Sequence, residues 1–488
     1  MSEPRPGTRT RAAQAHHRSL PVEHATTIAA LIARARAAQQ VCEGYDQARV
    51  DELVTAVGWA IVSPEHNRRL AEIAVRDSGL GNVADKIAKN RRKTIGLLAD
   101  LRGARSVGVI AERPELGLTE IARPVGVVGA ITPSTNPGAT PGNNIINALK
   151  GRNAIILAPS PKGQSTGALL LDYVHAELAR IGAPGDLVQQ LSPPVTREAT
   201  RELMRQVDLV VATGSQAGVR AAYESGTPAI GVGAGNVVVI VDETADASAA
   251  AGKIAASKTF DHATSCSSEN SVIAVDSTYA SLLQALVLAG GVLLDAREKA
   301  QLAAAMFAGG KLSASFIAQP TATIAARAGL ARMALREAGF LIVEETGVGA
   351  DHPFSGEKLS PVLALYRVPD FASASALAER ILRYEGAGHS VGLHSSDERR
   401  ALQLGLTLPV CRVIVNQAHC FATGGAFDNG LPFSLSMGCG TWGRNSISDN
   451  LNYRHFLNVT RIVRPLSTPR HEPTDSELFG AYRRKYGV

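Results

Sequence analysis

The sequence is poor in aromatic residues, at 5%, and has only five cysteines in 488 residues: Cys42, Cys266, Cys411, Cys420 and Cys439. Their number is odd and no two form a C-x-x-C pair, which argues against a disulfide framework and against zinc-ligand spacing. No metal site is expected, and free thiols suit a reducing cytoplasm. No run of eighteen apolar residues occurs, so no membrane span and no membrane partner are expected. The N-terminus lacks the apolar core of a secretory signal. The net charge of +6 is small for the length and partly concentrated in Arg5, Arg9, Arg11 and Arg18. That balance suits anionic cofactors and does not point to nucleic acid. No internal repeat or low-complexity tract is present.

What the chain does have is glycine, 46 residues of it, with 45% hydrophobic residues. That mixture suits an α/β enzyme with many tight turns, and the length predicts two or three domains. Residues 1–24 are basic and without apolar periodicity, and are expected to be disordered. Helical spacing then begins: Val50, Leu53, Val54, Val57 and Ile61 share one face. Ser63-Pro64 reads as an N-cap followed by proline at the first helical position, and that helix should stop near Gly79 and Gly81.

Residues 107–123 read as a hairpin turning at Gly117. Short strands are then expected at 125–131, 154–157, 187–191 and 209–212, with a helix over 165–181. Strands alternating with helices predict a parallel, doubly wound sheet. A second alternating block starts with a strand at 237–241. It continues with helices at 252–259, 277–289, 322–338 and 374–384, and strands at 272–275, 292–294, 341–344 and 363–368. The expected division is a cofactor-binding domain over 25–242, a catalytic domain over 243–440, and a segment over 441–488 that returns to the first domain and ends in a polar arm.

One cysteine stands out. Cys266 lies in S-K-T-F-D-H-A-T-S-C-S-S-E, among small polar residues and between two ordered elements, where a substrate can reach it. Asn136 lies just beyond a predicted strand, and its amide could donate to an oxyanion. Thr213-Gly214-Ser215 follows a strand and opens a helix, as an anion site would. Gly231, Gly233 and Gly235 invite comparison with a dinucleotide fingerprint, but they precede a strand instead of opening a helix, so that assignment is rejected.

In order, I-T-P-S-T-N-P, N-A-I-I-L-A-P-S-P-K-G, T-G-S-Q, G-V-G-A-G-N, the Cys266 segment, E-K-L-S-P-V, G-H-S-V-G-L-H-S and S-M-G-C-G-T-W-G-R-N-S-I-S together resemble the CoA-acylating branch of the aldehyde dehydrogenase superfamily. The resemblance covers about residues 25–465. It implies two Rossmann-like, doubly wound α/β domains with a helical N-terminal region. It also implies NADP or NAD, CoA as cosubstrate, and a homodimer or homotetramer.

Carried over by motif, Cys266 is the implied nucleophile and Asn136 the implied oxyanion donor. Thr132, Pro133, Ser134, Pro159, Ser160, Lys162, Thr213, Gly214, Ser215, Gly233 and Glu357 are implied around the cofactor. Hydrolytic relatives have a glutamate base near Gly233. Its lack implies transfer of the acyl group to CoA instead of water. Lys162, without a nearby glutamate, leaves room for a 2′-phosphate. The stretch 421–451 is similar to the subgroup acting on sulfoacetaldehyde, with His262, Thr264, His419, Arg412 and Arg444 as candidate substrate contacts. Acetaldehyde, propionaldehyde and malonate semialdehyde remain alternatives. So does a non-catalytic nucleotide-binding or assembly protein of the same fold.

Overall fold

A computed structural model describes residues 20–233 and 235–487. The expected disordered tail therefore falls outside the described residues up to 19, while 20–24 already begin the first helix. Four helices open the chain: α1 (Leu20–Glu43), α2 (Gln47–Val62), α3 (Pro64–Ser78) and α4 (Val83–Leu101). In α2 the apolar spacing buries Val50, Leu53, Val54 and Val57, and the Asp46 side chain caps the start by accepting from the Arg49 N–H. Ser63 does precede Pro64 at the start of α3, but its side chain makes no capping bond. Gly79 ends α3 at φ 68°, a conformation that costs glycine least.

The hairpin pairs β1 (Gly108–Arg113) with β2 (Leu118–Pro124), antiparallel. Its free edge is completed from the far end of the chain by β15 (Leu457–Val463). The expected polar arm thus begins as a strand of this sheet and ends in a helix, Asp475–Tyr486.

Next comes a parallel five-stranded sheet of β3 (Val127–Thr132), β4 (Ala154–Pro159), β5 (Val188–Gln190), β6 (Leu209–Thr213) and β7 (Ala229–Val232), in the order β5-β4-β3-β6-β7. Helices α5 (Ala139–Lys150), α6 (Gln164–Arg180), α7 (Arg197–Gln206) and α8 (Gln216–Tyr223) connect them. From β3 the chain winds outward to β5, then returns to the other side of β3 as β6. A crevice opens where the winding reverses, beyond the carboxyl ends of β3 and β6.

A parallel seven-stranded sheet follows: β8 (Val237–Val241), β9 (Glu269–Val275), β10 (Gly291–Leu293), β11 (Phe340–Glu344), β12 (Val362–Val368), β13 (Val391–His394) and β14 (Val413–Val415), in the order β10-β11-β12-β9-β8-β13-β14. α9 (Ala247–Thr259) joins β8 to β9. All of β8 is buried, each valine or isoleucine contributing about 1.5–3 kcal/mol relative to exposure. β8 is hydrogen bonded within this second sheet, whereas a division at 242 would group it with the first. The single helix expected over 322–338 is two, Thr321–Arg327 and Met333–Glu337, separated around Gly329 at φ 68°.

Parallel strands put all their amino ends on one edge. The turns before β8, β9, β12 and β13 therefore emerge together, and they carry Gly235, Cys266, Glu357 and His389. Among the described residues no helix is long and apolar enough to cross a membrane.

Candidate active site

A cleft of about 760 Å³ lies between the two sheets, lined from the first by the loops after β3, β4 and β6, and from the second by the segments around Cys266 and Glu357. The approach to Cys266 is unusual backbone. Asp261, His262 and Ala263 all have positive φ, at 51°, 50° and 56°. Three consecutive non-glycine residues in that region are strained and need outside support.

Asp261 supplies that support. Its fully buried carboxylate accepts from Lys89 at 2.5 Å, Lys86 at 3.1 Å, the Thr264 hydroxyl at 2.7 Å and the Asn82 N–H at 2.9 Å. Burial opposes its charge, yet Lys89 and Lys86 outweigh burial and hold the carboxyl down at about 2. Lys89 reaches further, donating to Asn136 Oδ1 at 2.9 Å. An ammonium only donates, so the Asn136 oxygen faces Lys89 and its NH2 end is left for the cleft.

Glu357 stands on the same wall, where its Oε1 accepts from the Gly235 N–H at 3.2 Å. Burial, helped by Glu385, pushes its carboxyl up to about 8. Burial and then Glu357 push the Cys266 thiol up to about 12. Gly235 is packed so closely that an added Cβ would stand 2.4 Å from the Cys266 carbonyl oxygen and 3.0 Å from His389 Nε2.

His389 received no role from the sequence, although its motif was singled out. Its ring is buried, and burial followed by Arg412 lowers its pKa to about 3, so it is neutral. Nδ1 is hydrogen bonded to the Ser390 hydroxyl at 2.7 Å, which also bonds His419 Nε2 at 2.8 Å. His389 Nε2 has no partner among the described residues. The Ser390 hydroxyl thus bridges the two rings, and His389 Nε2 stays unpaired beside the Cys266 segment.

On the opposite wall, Ser215 caps α8 by accepting from the Gly218 N–H at 3.2 Å, and Gly214 has φ 146°. The Thr213 hydroxyl bonds that of Ser436 at 2.7 Å. Thr132, Pro133, Ser134 and Pro159 also line this side, as does Ser160, whose buried hydroxyl has no partner among the described residues. Two arginines of α7, Arg197 and Arg201, stand one helical turn apart on the cleft and form no ion pair among the described residues.

A nucleophile, an aimed amide and an anion-binding helix start around one crevice are what aldehyde oxidation through a thioester requires. The aldehyde dehydrogenase family model matches residues 8–291. Acylating sulfoacetaldehyde dehydrogenase of Cupriavidus necator is 62% identical over 96% of each chain. The chain belongs to the aldehyde dehydrogenase family. Its fold agrees: an acetylating aldehyde dehydrogenase of Geobacillus thermoglucosidasius superposes with a TM-score of 0.88 at 36% identity, over 94% of this chain and all of that one. Propionaldehyde dehydrogenase of Rhodopseudomonas palustris with bound propionyl-CoA superposes at 0.80 and 27% identity, over 90% and 94%.

Within this aldehyde dehydrogenase framework the candidate residues separate. Cys266, Asn136, Thr264, Glu357 and Gly233 reach the cleft with the loop residues named above. Lys162 does not; its Nζ turns back to the Ser78 carbonyl oxygen at 3.3 Å. His419 is buried behind the cleft, where its backbone N–H donates to Glu269 Oε1 and its ring meets the Ser390 hydroxyl. His262 lies on the strained turn, away from the lining, and Arg444 is exposed at φ 56°. Arg412 is committed to Asn450 Oδ1 and to the carbonyl oxygens of His389, Gly438 and Ser448. Gly233 packs against the Gln216 amide, and Glu357 is the only carboxylate in the lining among the described residues.

Proposed function

We propose that the protein is a CoA-acylating aldehyde dehydrogenase whose substrate is sulfoacetaldehyde and whose product is sulfoacetyl-CoA. The observation that carries the reaction type is the pairing of Cys266 with Asn136 across a cleft that has no carboxylate at Gly233. The sulfonated substrate is supported by the 62% identical relative, whose name states it.

Cys266 attacks the aldehyde carbon as its thiolate, the thiol proton having left to solvent. The alkoxide that forms accepts from the Asn136 NH2 and the Cys266 N–H. One such donor contributes about 3–4 kcal/mol to the barrier. A bound nicotinamide would supply the hydride acceptor, and loss of the hydride leaves the acyl group on Cys266 as a thioester. Glu357, held by the Gly235 N–H, is the carboxylate for the nicotinamide ribose. With no base near Gly233 to activate water, the thioester persists until the CoA thiol attacks it.

The cofactor fits the residues present. The Ser215 helix start suits a pyrophosphate, and the unpartnered Ser160 hydroxyl suits a ribose. Arg197 and Arg201 suit a ribose phosphate, which favours NADP over NAD. The exposed apolar residues Leu478, Phe479 and Tyr482 of the terminal helix suit an arm within a homodimer or homotetramer.

The test is a single turnover without CoA. Incubation with sulfoacetaldehyde and NADP+ should increase the mass of the Cys266 peptide by one sulfoacetyl group, and CoA should remove it. Steady release of free sulfoacetate at the same rate without CoA would sink the proposal.

A further inference from the structure

Three lysines share the buried face of α4: Lys86, Lys89 and Lys93. Buried ammonium groups need a counter-charge. Lys86 and Lys89 share one, since both reach Asp261. Lys93 has none: among the described residues it forms no ion pair. It is 6% exposed, yet it lines the cleft with Cys266, Asn136 and Thr264.

Its Nζ donates to the Gly424 carbonyl oxygen at 2.5 Å and lies 5.7 Å from the Phe433 ring centre. An ammonium has three N–H donors, so two remain uncommitted. Gly424 is what admits the lysine. A Cβ at that position would stand 2.6 Å from the Lys93 nitrogen and 2.6 Å from the Ser434 carbonyl oxygen. The A-T-G-G stretch 422–425 thus has a physical reason: it makes room for a cation in the wall of the cleft.

We infer that Lys93 is the anchor for the sulfonate of the aldehyde substrate, standing opposite the carbon that Cys266 attacks. The inference rests on the sulfonated-aldehyde reading above. The sulfonate supplies the counter-charge that Asp261 supplies to the other two lysines, and its oxygens accept the two free N–H groups. A methyl or ethyl tail in the same place would leave the buried cation unpaired, so discrimination comes from that penalty as well as from attraction. Burial, then Arg92, lowers the ammonium to about 7, while Cys420 favours its charge, so an entering anion has most to restore at this lysine.

The experiment compares wild type, Lys93→Met and Lys93→Arg in two measurements. The first is kcat/KM for sulfoacetaldehyde relative to propionaldehyde. The second is protection of Cys266 from iodoacetamide by ethanesulfonate. Lys93→Met should lower the sulfonated-to-neutral ratio about 10- to 100-fold, the scale of a lost charge-assisted contact, and abolish protection. Lys93→Arg should retain part of both. Should Lys93→Met fail to fold, Lys93→Gln reads the same ratio. A folded variant that keeps both the ratio and the protection overturns the role of Lys93 and leaves the substrate reading intact. A wild type that shows no preference for the sulfonated aldehyde overturns the substrate reading, and with it the inference.

Discussion

Lys89 donates to Asn136 Oδ1 at 2.9 Å, and the same ammonium holds Asp261 Oδ2 at 2.5 Å. One lysine therefore fixes Asn136, the proposed oxyanion donor, and the turn that presents Cys266, the proposed nucleophile. Asn136→Ala is expected to lower kcat about 10²- to 10³-fold, as for loss of an oxyanion donor. Lys89→Met should lower kcat as well, by loosening Asn136, and should also lower the melting temperature because Asp261 loses its nearest cation. Measured kcat and thermal unfolding of both variants check this. A Lys89→Met enzyme that melts early but keeps full kcat would separate Lys89 from Asn136.

Gly235 is packed tightly against the Cys266 segment. Alanine there would place a methyl group 2.4 Å from the Cys266 carbonyl oxygen, which is backbone and cannot swing aside. The Cys266 loop would have to shift, and displacement of a nucleophile by about 1 Å costs on the order of 10²-fold in rate. Overpacking adds about 1–3 kcal/mol of destabilisation. Gly235→Ala should show both, in steady-state kinetics and in urea unfolding. Near-normal kcat would mean that the loop is free to move.

Cofactor choice is read at α7. Arg197→Ala and Arg201→Ala are each expected to weaken NADPH binding about three- to tenfold at low salt and to change NADH binding less, since the contacts are exposed charge pairs. Fluorescence titration with the two reduced cofactors measures it. Lys162, turned toward Ser78, should matter less than either arginine. A larger effect from Lys162→Ala than from both arginine variants would return the phosphate to the loop after β4.

The order of elements was legible because burial leaves a mark in the sequence. A short β-branched run such as Val237–Val241 reads as a strand buried on both faces, and strands alternating with helical stretches favour parallel pairing. The strands β7, β13 and β14 were missed: they are short, and β7 and β13 lie beside glycine-rich turns, whereas β15, mostly exposed, lacks the apolar run that marks a buried strand. Cys266, Asn136 and Glu357, singled out by the motifs around them, all line the cleft. The lysines of α4 were not: D-K-I-A-K-N-R-R-K reads as a solvated helix face, and only the fold reveals that three of its lysines point inward. The same limit hid His389, whose partner Ser390 is obvious but whose open nitrogen depends on the distant Gly235. Arg412 and His419 looked like anion binders, but Arg412 is taken up by Asn450 and three carbonyl oxygens, and the His419 ring is buried against the Ser390 hydroxyl.

The chemistry of Cys266 has a pH signature with two parts. Its thiol is pushed up to about 12 by burial and by Glu357, so between pH 7 and 9 the reactive thiolate is scarce and increases with pH. An isolated thiol in that range would gain tenfold per pH unit. Glu357, however, is itself raised to about 8 and ionises over the same interval. Each carboxylate formed disfavours the thiolate beside it, so the gain should fall short of tenfold per unit. In Glu357→Gln the full tenfold slope should return, and alkylation at pH 9 should be faster than in wild type. Iodoacetamide labelling must be read at the Cys266 peptide, because Cys420 and Cys439 are also raised to about 12 by burial. A wild-type rate that levels off below pH 8 would mean that the thiolate is already formed at rest, and that no base is needed to release it.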